Sequence, residues 1–591
     1  MMYNKNTGEL TVPDITMYEM IKRLAQNHPF SAAYEYLGTT GTYSELLDGI
    51  DRFAKSFAAC GVRAGDIVTI CMPNTPEAVF AIYALNKIGA AANVIHPLSA
   101  QTEIRNCVNS AGSRVLAVVD MCVEKIRGII DETKLEKVVV ISPADSMPAL
   151  LKAAYRLKTK KVRLPEDARF INLKEFVSAG EKADLPVTQA SPDLPAVILH
   201  SGGTTGTPKE IVLTNRGFNS LGTQALIVLK DVGVNDRVLA ILPVFHAFGL
   251  GVCVHVTFCL GACSVLIPRF EAAKFTKLMK KHRPSMVFGV PTLYEALINA
   301  PGSEKLDLSG LKYLVSGGDS LSETLEKRLN NYLERTGAGI KVIQGYGLTE
   351  SLGAVCLATG DGYKPGSIGK PLPGNRFCVV KPGTCEVLPA NTDGEICVNG
   401  PTLMAGYRNN EKETKEALVK HPDGRVWLHT GDIGAIDADG CIFYRMRLKR
   451  LIISSGYNVY PQHIEKIIEQ HRAVAKCTVI GVPHPYKVEV AKAYIVLKEG
   501  YAPGDEIRYS IREHCRKNLA KYSVPCEFEF RQTIPQTLLG KTDFNALRQE
   551  HLAGLANGEN RKNGKNIKEI GKKEEKERPG NSGVQDADTC A

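Results

Sequence analysis

Short apolar segments alternate with longer amphipathic segments over the first half of the chain. Residues 68–74 (VTICMPN) have the length and composition of a buried strand, and residues 76–90 (PEAVFAIYALNKIGA) follow as a helix that ends at Gly89. Residues 91–97 (AANVIHP) predict the next strand. Further strands of this kind are predicted at residues 114–120, 285–291 and 311–317. Strands that alternate with helices indicate parallel sheets with both faces covered.

The pattern changes after residue 365. Short strands punctuated by Gly and Asp, such as residues 394–400 (GEICVNG) and 441–446 (CIFYRM), indicate an antiparallel patch. A smaller unit then begins, with a helix at residues 461–471 and strands at 477–483 and 492–500. We therefore predict an α/β fold, in which a large N-terminal region of stacked parallel α/β sheets with an antiparallel patch precedes a small α+β C-terminal domain.

The 591 residues are too many for one compact domain. We predict an N-terminal domain at residues 1–448, a C-terminal domain at 449–550, and a charged tail at 551–591 that is expected to be disordered because it has almost no core-forming residues. The net charge of +10 includes the lysines of this tail, so it does not indicate a nucleic-acid partner. A single Trp and 7% aromatic residues also argue against a base-stacking surface.

The composition predicts no transmembrane segment. Residues 238–268 are apolar and long enough to span a bilayer, but Pro243, His246, His255 and three glycines interrupt them. A strand, a loop, a buried helix and a second strand fit this segment better. The N-terminus lacks the apolar core of a secretory signal. The 16 cysteines include no CxxC pair, so we interpret them as free, buried thiols and predict a cytoplasmic protein.

The strongest local signal is the segment at residues 199–215, LHSGGTTGTPKEIVLTN. An apolar run enters a loop of Gly, Ser and Thr, whose backbone N–H groups and hydroxyls suit a phosphate chain. Lys209 adds a positive charge, although no Ser or Thr follows it as in a P-loop. A flexible loop without a ligand is the alternative for this segment alone. The predicted phosphate-binding residues are Ser201, Gly202, Gly203, Thr204, Thr205, Gly206, Thr207 and Lys209.

Five further segments follow in order along the chain. They are LPVFHAFGL at 242–250, VSGGDSL at 315–321, QGYGLTES at 344–351, the segment from HTGD to NVYP at 429–461, and TLLGKTDF at 537–544. Together with the Gly-rich loop they resemble the motifs of the adenylate-forming superfamily, which comprises acyl- and aryl-CoA ligases, luciferases and adenylation domains of peptide synthetases. The resemblance covers roughly residues 15–550 and implies that a carboxylic acid is activated with ATP.

The resemblance implies a nucleotide site that holds Mg²⁺. Thr349 and Glu350 are the implied metal ligands and act in catalysis, since hard oxygen atoms hold Mg²⁺ beside phosphates. Tyr346 is implied to stack on adenine. Asp432 suits a bidentate acceptor for the ribose hydroxyls, and Arg447 can donate to the sugar or to a phosphate. The other residues implied to contact ATP are Gly318, Asp319, Gln344 and Gly345.

The resemblance also implies a mobile C-terminal domain that serves two half-reactions. Lys541 is the implied catalyst of adenylation, because a lysine can offset the negative charge that forms at the α-phosphate. Lys449 occupies the hinge position. Ser455, Gly456 and Asn458 belong to the loop implied to face CoA, although Ser455 stands where many aryl-CoA ligases carry a lysine.

Two motifs allow competing interpretations. His246 lies in an apolar segment where a buried structural histidine is ordinary, whereas the resemblance implies a catalytic residue that lines the acyl pocket. GGDSL at 317–321 resembles the phosphopantetheine-attachment sequence of carrier proteins. Because a carrier domain needs its own helical bundle, we interpret this segment as a pocket turn and Ser320 as unmodified.

We therefore predict an AMP-forming acyl-CoA synthetase that uses ATP, Mg²⁺ and CoA on a fatty or aryl carboxylic acid. The alternative is a stand-alone adenylation enzyme that loads a partner carrier protein, and a third possibility is a scaffold on an inactive enzyme fold. The intact Lys541, Glu350, Thr349, Asp432 and Arg447 argue against the scaffold. The sequence does not indicate which acid is used or the oligomeric state.

Overall fold

The computed structural model describes residues 3–4, 8–158, 162–185, 191–201, 209–454, 457–484, 488–520, 523–537 and 542–556. The chain divides into two compact units: the first comprises Met1–Thr430 and Ala435–Phe443, and the second comprises Gly431–Gly434 and Tyr444–Ala591. The domain boundaries at 448 and 550 stay predictions. The predicted tail lies outside the described residues from residue 557 onward.

The first unit contains a mostly parallel sheet that includes three of the predicted strands. Near one edge a single strand runs antiparallel to both of its neighbours, and the remaining pairings are parallel, as expected when helices connect the strands. Among the described residues its strands, in spatial order, are Gly406–Tyr407, Lys209–Thr214, Pro195–Ser201, Ala91–Val94, Ile67–Cys71, Val115–Val119, Lys137–Ile141 and Phe170–Asn172.

A second sheet in the same unit contains the predicted strands near residues 285 and 311. Its central strands are parallel, with antiparallel strands at both edges. In spatial order the described strands are Lys370–Pro371, Cys356–Leu357, Ile343–Tyr346, Tyr313–Ser316, Met286–Gly289, Arg237–Ala240, Cys263–Leu266, Ala32–Tyr36 and Thr39–Thr42. A short hairpin of Tyr3–Asn4 and Glu9–Leu10 stands apart from both sheets.

Helices cover these sheets, and one continuous apolar core joins both of them. The helix Pro76–Lys87 has almost every residue buried, which explains its uniformly apolar sequence. Asn74, just before this helix, donates two hydrogen bonds across the core, to the carbonyls of Ala240 at 3.0 Å and Leu242 at 2.9 Å. The described helices of the first unit are Met17–Asn27, Tyr43–Ala59, Pro76–Lys87, Gln101–Ala111, Val123–Arg127, Ala149–Lys158, Leu173–Gly180, Asn215–Val228, Phe248–Val256, Thr257–Cys259, Phe275–His282, Pro291–Asn299, Glu323–Arg335 and Glu411–Ala417.

The apolar segment at residues 238–268 folds as predicted, with one difference. The strands Arg237–Ala240 and Cys263–Leu266 enclose a buried helix, but Phe248–Val256 is a π-helix rather than an α-helix. Within the described residues, no helix is both long and apolar enough to cross a bilayer. Cys253, Cys259 and Cys263 are free and buried, as expected.

The antiparallel patch predicted after residue 365 is confirmed. Its described strands are Arg376–Val380, Gly394–Asn399, Val426–Ile436 and Leu418–Lys420 in spatial order, and Ile442–Arg447 also pairs with Val426–Ile436. In the second unit, the described strands Tyr457–Val459, Ile452–Ser454, Val488–Leu497, Val474–His484 and Glu527–Phe530 form one sheet. The helices Pro461–Glu469, Asp505–Asn518 and Phe544–Ala556 complete the described part of this unit.

A carboxyl group inside the first unit makes stability depend on pH. Glu77 is 2% exposed, and its Oε1 accepts a hydrogen bond from Ser146 Oγ at 2.5 Å. Burial raises the pKa of Glu77 to about 7. Since an unfolded Glu loses its proton near pH 4.5, the folded state holds the extra proton between the two values, and stability falls as the pH rises through this interval.

Glu77→Gln removes this ionisation and keeps a hydrogen-bond acceptor at the Oε1 position. We expect the variant to exceed the wild type in free energy of unfolding by about 1–3 kcal/mol at pH 8. At pH 5, where the wild-type carboxyl is already neutral, the two proteins are expected to differ little. Urea unfolding at both pH values measures this, and an equal effect at pH 5 and pH 8 would contradict it.

Candidate active site

Three predicted motifs follow neighbouring parallel strands of the second sheet. The strands Ile343–Tyr346, Tyr313–Ser316 and Met286–Gly289 lie side by side, and Arg237–Ala240 is next in order. Parallel strands end at the same edge, so the QGYGLTES, GGDSL and LPVFHAFGL segments meet there. The edge at the carboxyl ends of parallel strands is where open α/β sheets bind ligands.

The Gly-rich loop is anchored at both ends in the other sheet. Ser201 ends the strand Pro195–Ser201, Lys209 begins Lys209–Thr214, and these two residues are direct antiparallel partners. The loop therefore begins and ends at a closed β-ladder. Its residues Gly202–Pro208, which include six of the predicted phosphate contacts, lie outside the described residues.

Lys209 belongs to a small polar network that the sequence did not reveal. Its ammonium group forms an ion pair with Glu413 and lies 4.4 Å from the centre of the Tyr407 ring, a cation–π arrangement. Tyr407 is held beside Lys209 because the strand Gly406–Tyr407 pairs with Lys209–Thr214, with Ile211 opposite Tyr407. The lysine is thus positioned by two residues nearly 200 positions away in sequence.

The same tyrosine reaches the predicted metal ligand. Thr349 and Glu350 lie in a 3₁₀ turn, Thr349–Ser351, after the strand Ile343–Tyr346. The Tyr407 hydroxyl donates a hydrogen bond to Glu350 Oε1 at 2.9 Å, and the Glu350 carbonyl accepts one from the Met404 amide at 2.8 Å. Tyr407 therefore links the lysine of the Gly-rich loop to the carboxylate of the QGYGLTES segment.

The GGDSL segment is a turn between a strand and a helix. Gly318 adopts a φ of 74°, in the left-handed region that glycine tolerates, and Asp319 is exposed and accepts the Ser320 amide at 2.8 Å. On the adjacent strand, Gln344 donates to Glu326 at 3.2 Å. Gly318, Asp319, Gln344, Gly345 and Tyr346 thus occupy neighbouring strand ends.

His246 precedes the π-helix Phe248–Val256. Its Nδ1 accepts a hydrogen bond from the Phe248 amide at 3.3 Å, and its carbonyl accepts one from Leu250 at 2.9 Å. The neighbouring Phe245 packs on His96, with ring centres 4.2 Å apart. Burial lowers the pKa of His96, which keeps this imidazole neutral. The role of His246 in catalysis stays a prediction.

An apolar cavity adjoins the GGDSL turn. Its volume is about 60 Å³, and it lies between the helix Asn215–Val228, the π-helix and the second sheet. Side chains such as Leu221, Ala225, Phe248, Val252, Phe288 and Leu372 form its wall. Cys356 is the one lining residue with a side-chain heteroatom, and burial raises the pKa of its thiol, so the wall carries no charge.

Two glycines form part of the cavity wall beside the GGDSL turn. Gly317 and Gly345 both line it, and they come from adjacent parallel strands. A Cβ on Gly317 would lie 3.1 Å from the Gly345 carbonyl oxygen and 3.2 Å from Phe248, and a Cβ on Gly345 would lie 3.1 Å from Leu357. Larger residues at either position would narrow the cavity where it meets the predicted nucleotide segments.

Asp432 and Arg447 form an ion pair within the second unit. They come from the paired strands Val426–Ile436 and Ile442–Arg447, and Arg447 Nε lies 3.1 Å from Asp432 Oδ1. Asp432 is 1% exposed, whereas half of the Arg447 side chain is exposed. Of the other residues predicted in this unit, Ser455, Gly456 and Lys541 lie outside the described residues, as do the side chains of Lys449 and Asn458.

Comparison with known proteins assigns the family. Residues 21–408 match the AMP-binding enzyme family, and residues 463–541 match the AMP-binding enzyme C-terminal domain. The chain belongs to the AMP-binding enzyme family. The predicted superfamily and the predicted α/β fold class are confirmed.

Relatives of this AMP-binding enzyme include acyl-CoA ligases of two kinds. A long-chain-fatty-acid–CoA ligase of Bacillus subtilis is 31% identical over 541 residues, which cover 90% of this chain and 94% of that protein. A feruloyl-CoA synthase of Amycolatopsis is 32% identical over 523 residues, which cover 88% and 96%. The structure of Bacillus subtilis o-succinylbenzoate CoA synthetase with its acyl-adenylate intermediate has a TM-score of 0.72 and 25% identity, and covers 91% and 98%. The predicted enzyme class, an AMP-forming acyl-CoA synthetase, is confirmed by these comparisons.

Sequence reasoning missed Tyr407 and Glu413. Both occur in GYRNNEKET (residues 406–414), a segment rich in charge that reads as an exposed turn and helix start. Only the pairing of Gly406–Tyr407 with Lys209–Thr214 places them beside Lys209. A two-residue strand is too short to show a hydrophobic pattern, so the sequence of this AMP-binding enzyme does not predict that Tyr407 contacts Lys209.

Proposed function

We propose that this AMP-binding enzyme activates a carboxylic acid with an apolar alkyl chain and transfers it to CoA. The apolar cavity carries this proposal, because Gly317 and Gly345, which belong to the segments assigned to ATP, line it. A wall of aliphatic and aromatic side chains stabilises a hydrocarbon chain through burial of apolar surface. The proposed site of action is the cytoplasm, where ATP and CoA are both present.

The proposed reaction has two steps. A carboxylate oxygen attacks the α-phosphorus of ATP and pyrophosphate leaves, which gives an acyl-adenylate. The CoA thiol then loses its proton and attacks the acyl carbon, and AMP leaves with the electron pair of the broken carbon–oxygen bond. Lys541 offsets charge at the α-phosphate in the first step, and the C-terminal domain turns about Lys449 to bring the Gly456 segment to the site for the second.

Mg²⁺ is assigned to Glu350 and Thr349. Glu350 Oε1 is held by the Tyr407 hydroxyl, so the carboxylate is fixed in one orientation and its Oε2 is the oxygen we assign to the cation. When bound, Mg²⁺ neutralises charge on the phosphates and the leaving pyrophosphate. Lys209 supplies a further positive charge at the end of the Gly-rich loop, and Asp432 accepts hydrogen bonds from the ribose.

The cavity favours alkyl acids over hydroxylated aryl acids such as ferulate. A phenol hydroxyl at the far end of an aryl acid would need a hydrogen-bond partner, and the lining residues offer only the Cys356 thiol, which already donates to the Ile368 carbonyl at 3.2 Å. An unpaired buried hydroxyl costs about 1–3 kcal/mol. We therefore expect roughly tenfold to hundredfold preference for an alkyl acid over a hydroxylated aryl acid of similar length.

Pyrophosphate release tests the proposal with a panel of alkyl and aryl acids, each with and without CoA. Release that depends on an alkyl acid, together with acyl-CoA formed when CoA is present, is the expected result. Release that CoA does not accelerate, with no acyl-CoA, would indicate a carrier-protein loader instead. No acid-dependent release would indicate an inactive scaffold.

Ala225→Phe tests whether the cavity holds the acyl chain. The added ring takes up space inside the cavity, so we expect kcat/KM for a long alkyl acid to fall more than tenfold and that for butyrate to change by less than about threefold. Ala272→Phe, the same substitution at an exposed position, is the matched control. Equal losses for both acids would mean that the acyl chain binds elsewhere.

A further inference from the structure

Four chemistry-bearing side chains that the proposed reaction does not use come together in the antiparallel sheet of the first unit. We call Cys385, Glu395, His421 and His429 the sheet cluster. Potential ligand atoms of Cys385, His421 and His429 all lie within 4.8 Å of one another. None of these residues is assigned to ATP, Mg²⁺, the acid or CoA.

The two imidazoles of the sheet cluster face each other. His421 Nε2 lies 2.9 Å from His429 Nε2, and the ring centres are 5.1 Å apart in an edge-to-face arrangement. His421 is 5% exposed, and 12% of the His429 side chain is exposed. Two facing ring nitrogens at this distance share one hydrogen at most, because both cannot be protonated without repulsion.

Glu395 decides which nitrogen of His429 is available. Its Oε2 lies 3.0 Å from His429 Nδ1, and the carboxylate side chain is 7% exposed. Nδ1 therefore carries the hydrogen, and Nε2 presents its lone pair toward His421. A histidine that donates one N–H to a carboxylate and directs its other nitrogen at a cation is the usual arrangement at protein metal sites.

Cys385 supplies the third ligand from a tight turn. The turn after the strand Arg376–Val380 is closed by a hydrogen bond from the Lys381 amide to the Glu386 carbonyl at 2.9 Å, which fixes Cys385 beside the two histidines. Cys385 is partly exposed, so an ion can reach it from solvent. Cys397 also lies near His429 and Glu395 but is completely buried.

We propose that the sheet cluster binds one divalent transition-metal ion of the zinc class. Its ligands are Cys385 Sγ, His421 Nε2 and His429 Nε2, with Glu395 as the group that orients His429. Two nitrogens at tetrahedral Zn²⁺ stand roughly 3.3 Å apart, so the imidazoles separate by a few tenths of an ångström on binding. The thiol of Cys385 releases its proton, and His421 takes the tautomer with its hydrogen on Nδ1.

The site joins three segments that are distant in sequence. Cys385 belongs to the turn after Arg376–Val380, Glu395 to the next strand, and the histidines to the hairpin of Leu418–Lys420 and Val426–Ile436. The ion therefore cross-links these three segments of the antiparallel sheet.

The single tryptophan provides a local reporter for binding. Trp427 is the only Trp in the sequence, and its ring stacks on His421 with centres 5.5 Å apart and planes 28° apart. Co²⁺ quenches a nearby indole and, when bound to a thiolate, shows a sulfur-to-metal charge-transfer band. We expect the full-length protein, stripped with chelator, to bind one Co²⁺ with both signals, and Zn²⁺ to reverse both.

Variants of single ligands assign the site. Cys385→Ser is expected to abolish the charge-transfer band. His421→Gln is expected to weaken the Co²⁺ binding that Trp427 quenching reports at least tenfold. Glu395→Gln is expected to weaken Co²⁺ binding tenfold to hundredfold. Cys378→Ser and Cys397→Ser, in the same sheet, are the matched controls and should retain the band. Circular dichroism checks that each variant is folded. If Cys385→Ser does not fold, His421→Gln still tests the site.

Three results would overturn the proposal. They are the absence of a charge-transfer band in the wild type, a band that survives Cys385→Ser, and a band that Cys397→Ser removes while Cys385→Ser keeps it. The last result would place the ion on Cys397, Glu395 and His429 instead. Each readout is spectroscopic, so it does not depend on ligase activity.

Discussion

Lys541→Ala is expected to slow acyl-adenylate formation by several orders of magnitude and to leave thioester formation from supplied acyl-adenylate nearly intact. The lysine offsets negative charge on the pentacoordinate phosphorus, and that charge exists only in the first half-reaction. Gln536 and Thr542, which lie on either side of residues 537–541, form an antiparallel bridge in the second unit.

Separate assays of the two half-reactions measure this effect. Pyrophosphate exchange into ATP reports adenylation, and CoA-dependent consumption of a synthetic acyl-adenylate reports the thioester step. Lys498→Ala, which removes an exposed lysine of the same unit, is the control and should leave both rates unchanged. Equal damage to both steps by Lys541→Ala would contradict a lysine that acts in only one pose of the C-terminal domain.

Glu350→Gln is expected to reduce adenylation by roughly 10²–10³-fold, the loss typical of removing one group that stabilises transition-state charge. The amide keeps the shape of the side chain and the oxygen that accepts from Tyr407, but it removes the negative charge that attracts Mg²⁺. A titration of activity with Mg²⁺ at fixed ATP should shift to higher metal concentration.

Tyr407→Phe provides the matched comparison for Glu350→Gln. It removes only the hydrogen bond to Glu350 Oε1 and keeps the ring beneath Lys209. One neutral donor to a carboxylate contributes about 1.5–3 kcal/mol at most, and a positioning effect should be smaller, so we expect a loss of about tenfold or less. If Glu350→Gln were no more harmful than Tyr407→Phe, Glu350 would not be the Mg²⁺ ligand.

Elements with strong periodicity could be predicted from the sequence. The strand at Ile67–Cys71, the helix at Pro76–Lys87 and the strand at Ala91–Val94 follow directly from apolar runs of the right length and from Gly89 at the helix end. The strand predicted at residues 311–317 leads into the GGDSL segment, whereas the segment at 344–351 is identified only through the family resemblance. Parallel pairing then brings them to one edge of the sheet.

Contacts between distant segments could not be predicted in this way. Lys209 meets Glu413 and Tyr407 through the pairing of a two-residue strand, which has no pattern of its own. The sheet cluster escaped notice because its cysteine and histidines lack the short spacings of known metal motifs. Cys385 and His429 are far apart in sequence, and only the pairing of strands in the antiparallel sheet brings them together.

The π-helix at Phe248–Val256, which forms one wall of the cavity, contains more residues than an α-helix of the same length would. A π-turn closes its hydrogen bonds between residues i and i+5, one more than an α-turn, so the segment fits an extra residue into the same span. A chain shorter by one residue here can bridge the strands Arg237–Ala240 and Cys263–Leu266 as an ordinary α-helix. Phe248, Val252 and Val256 would then face new directions while both strands stayed in register, so a single deletion would reshape the cavity without refolding the sheet.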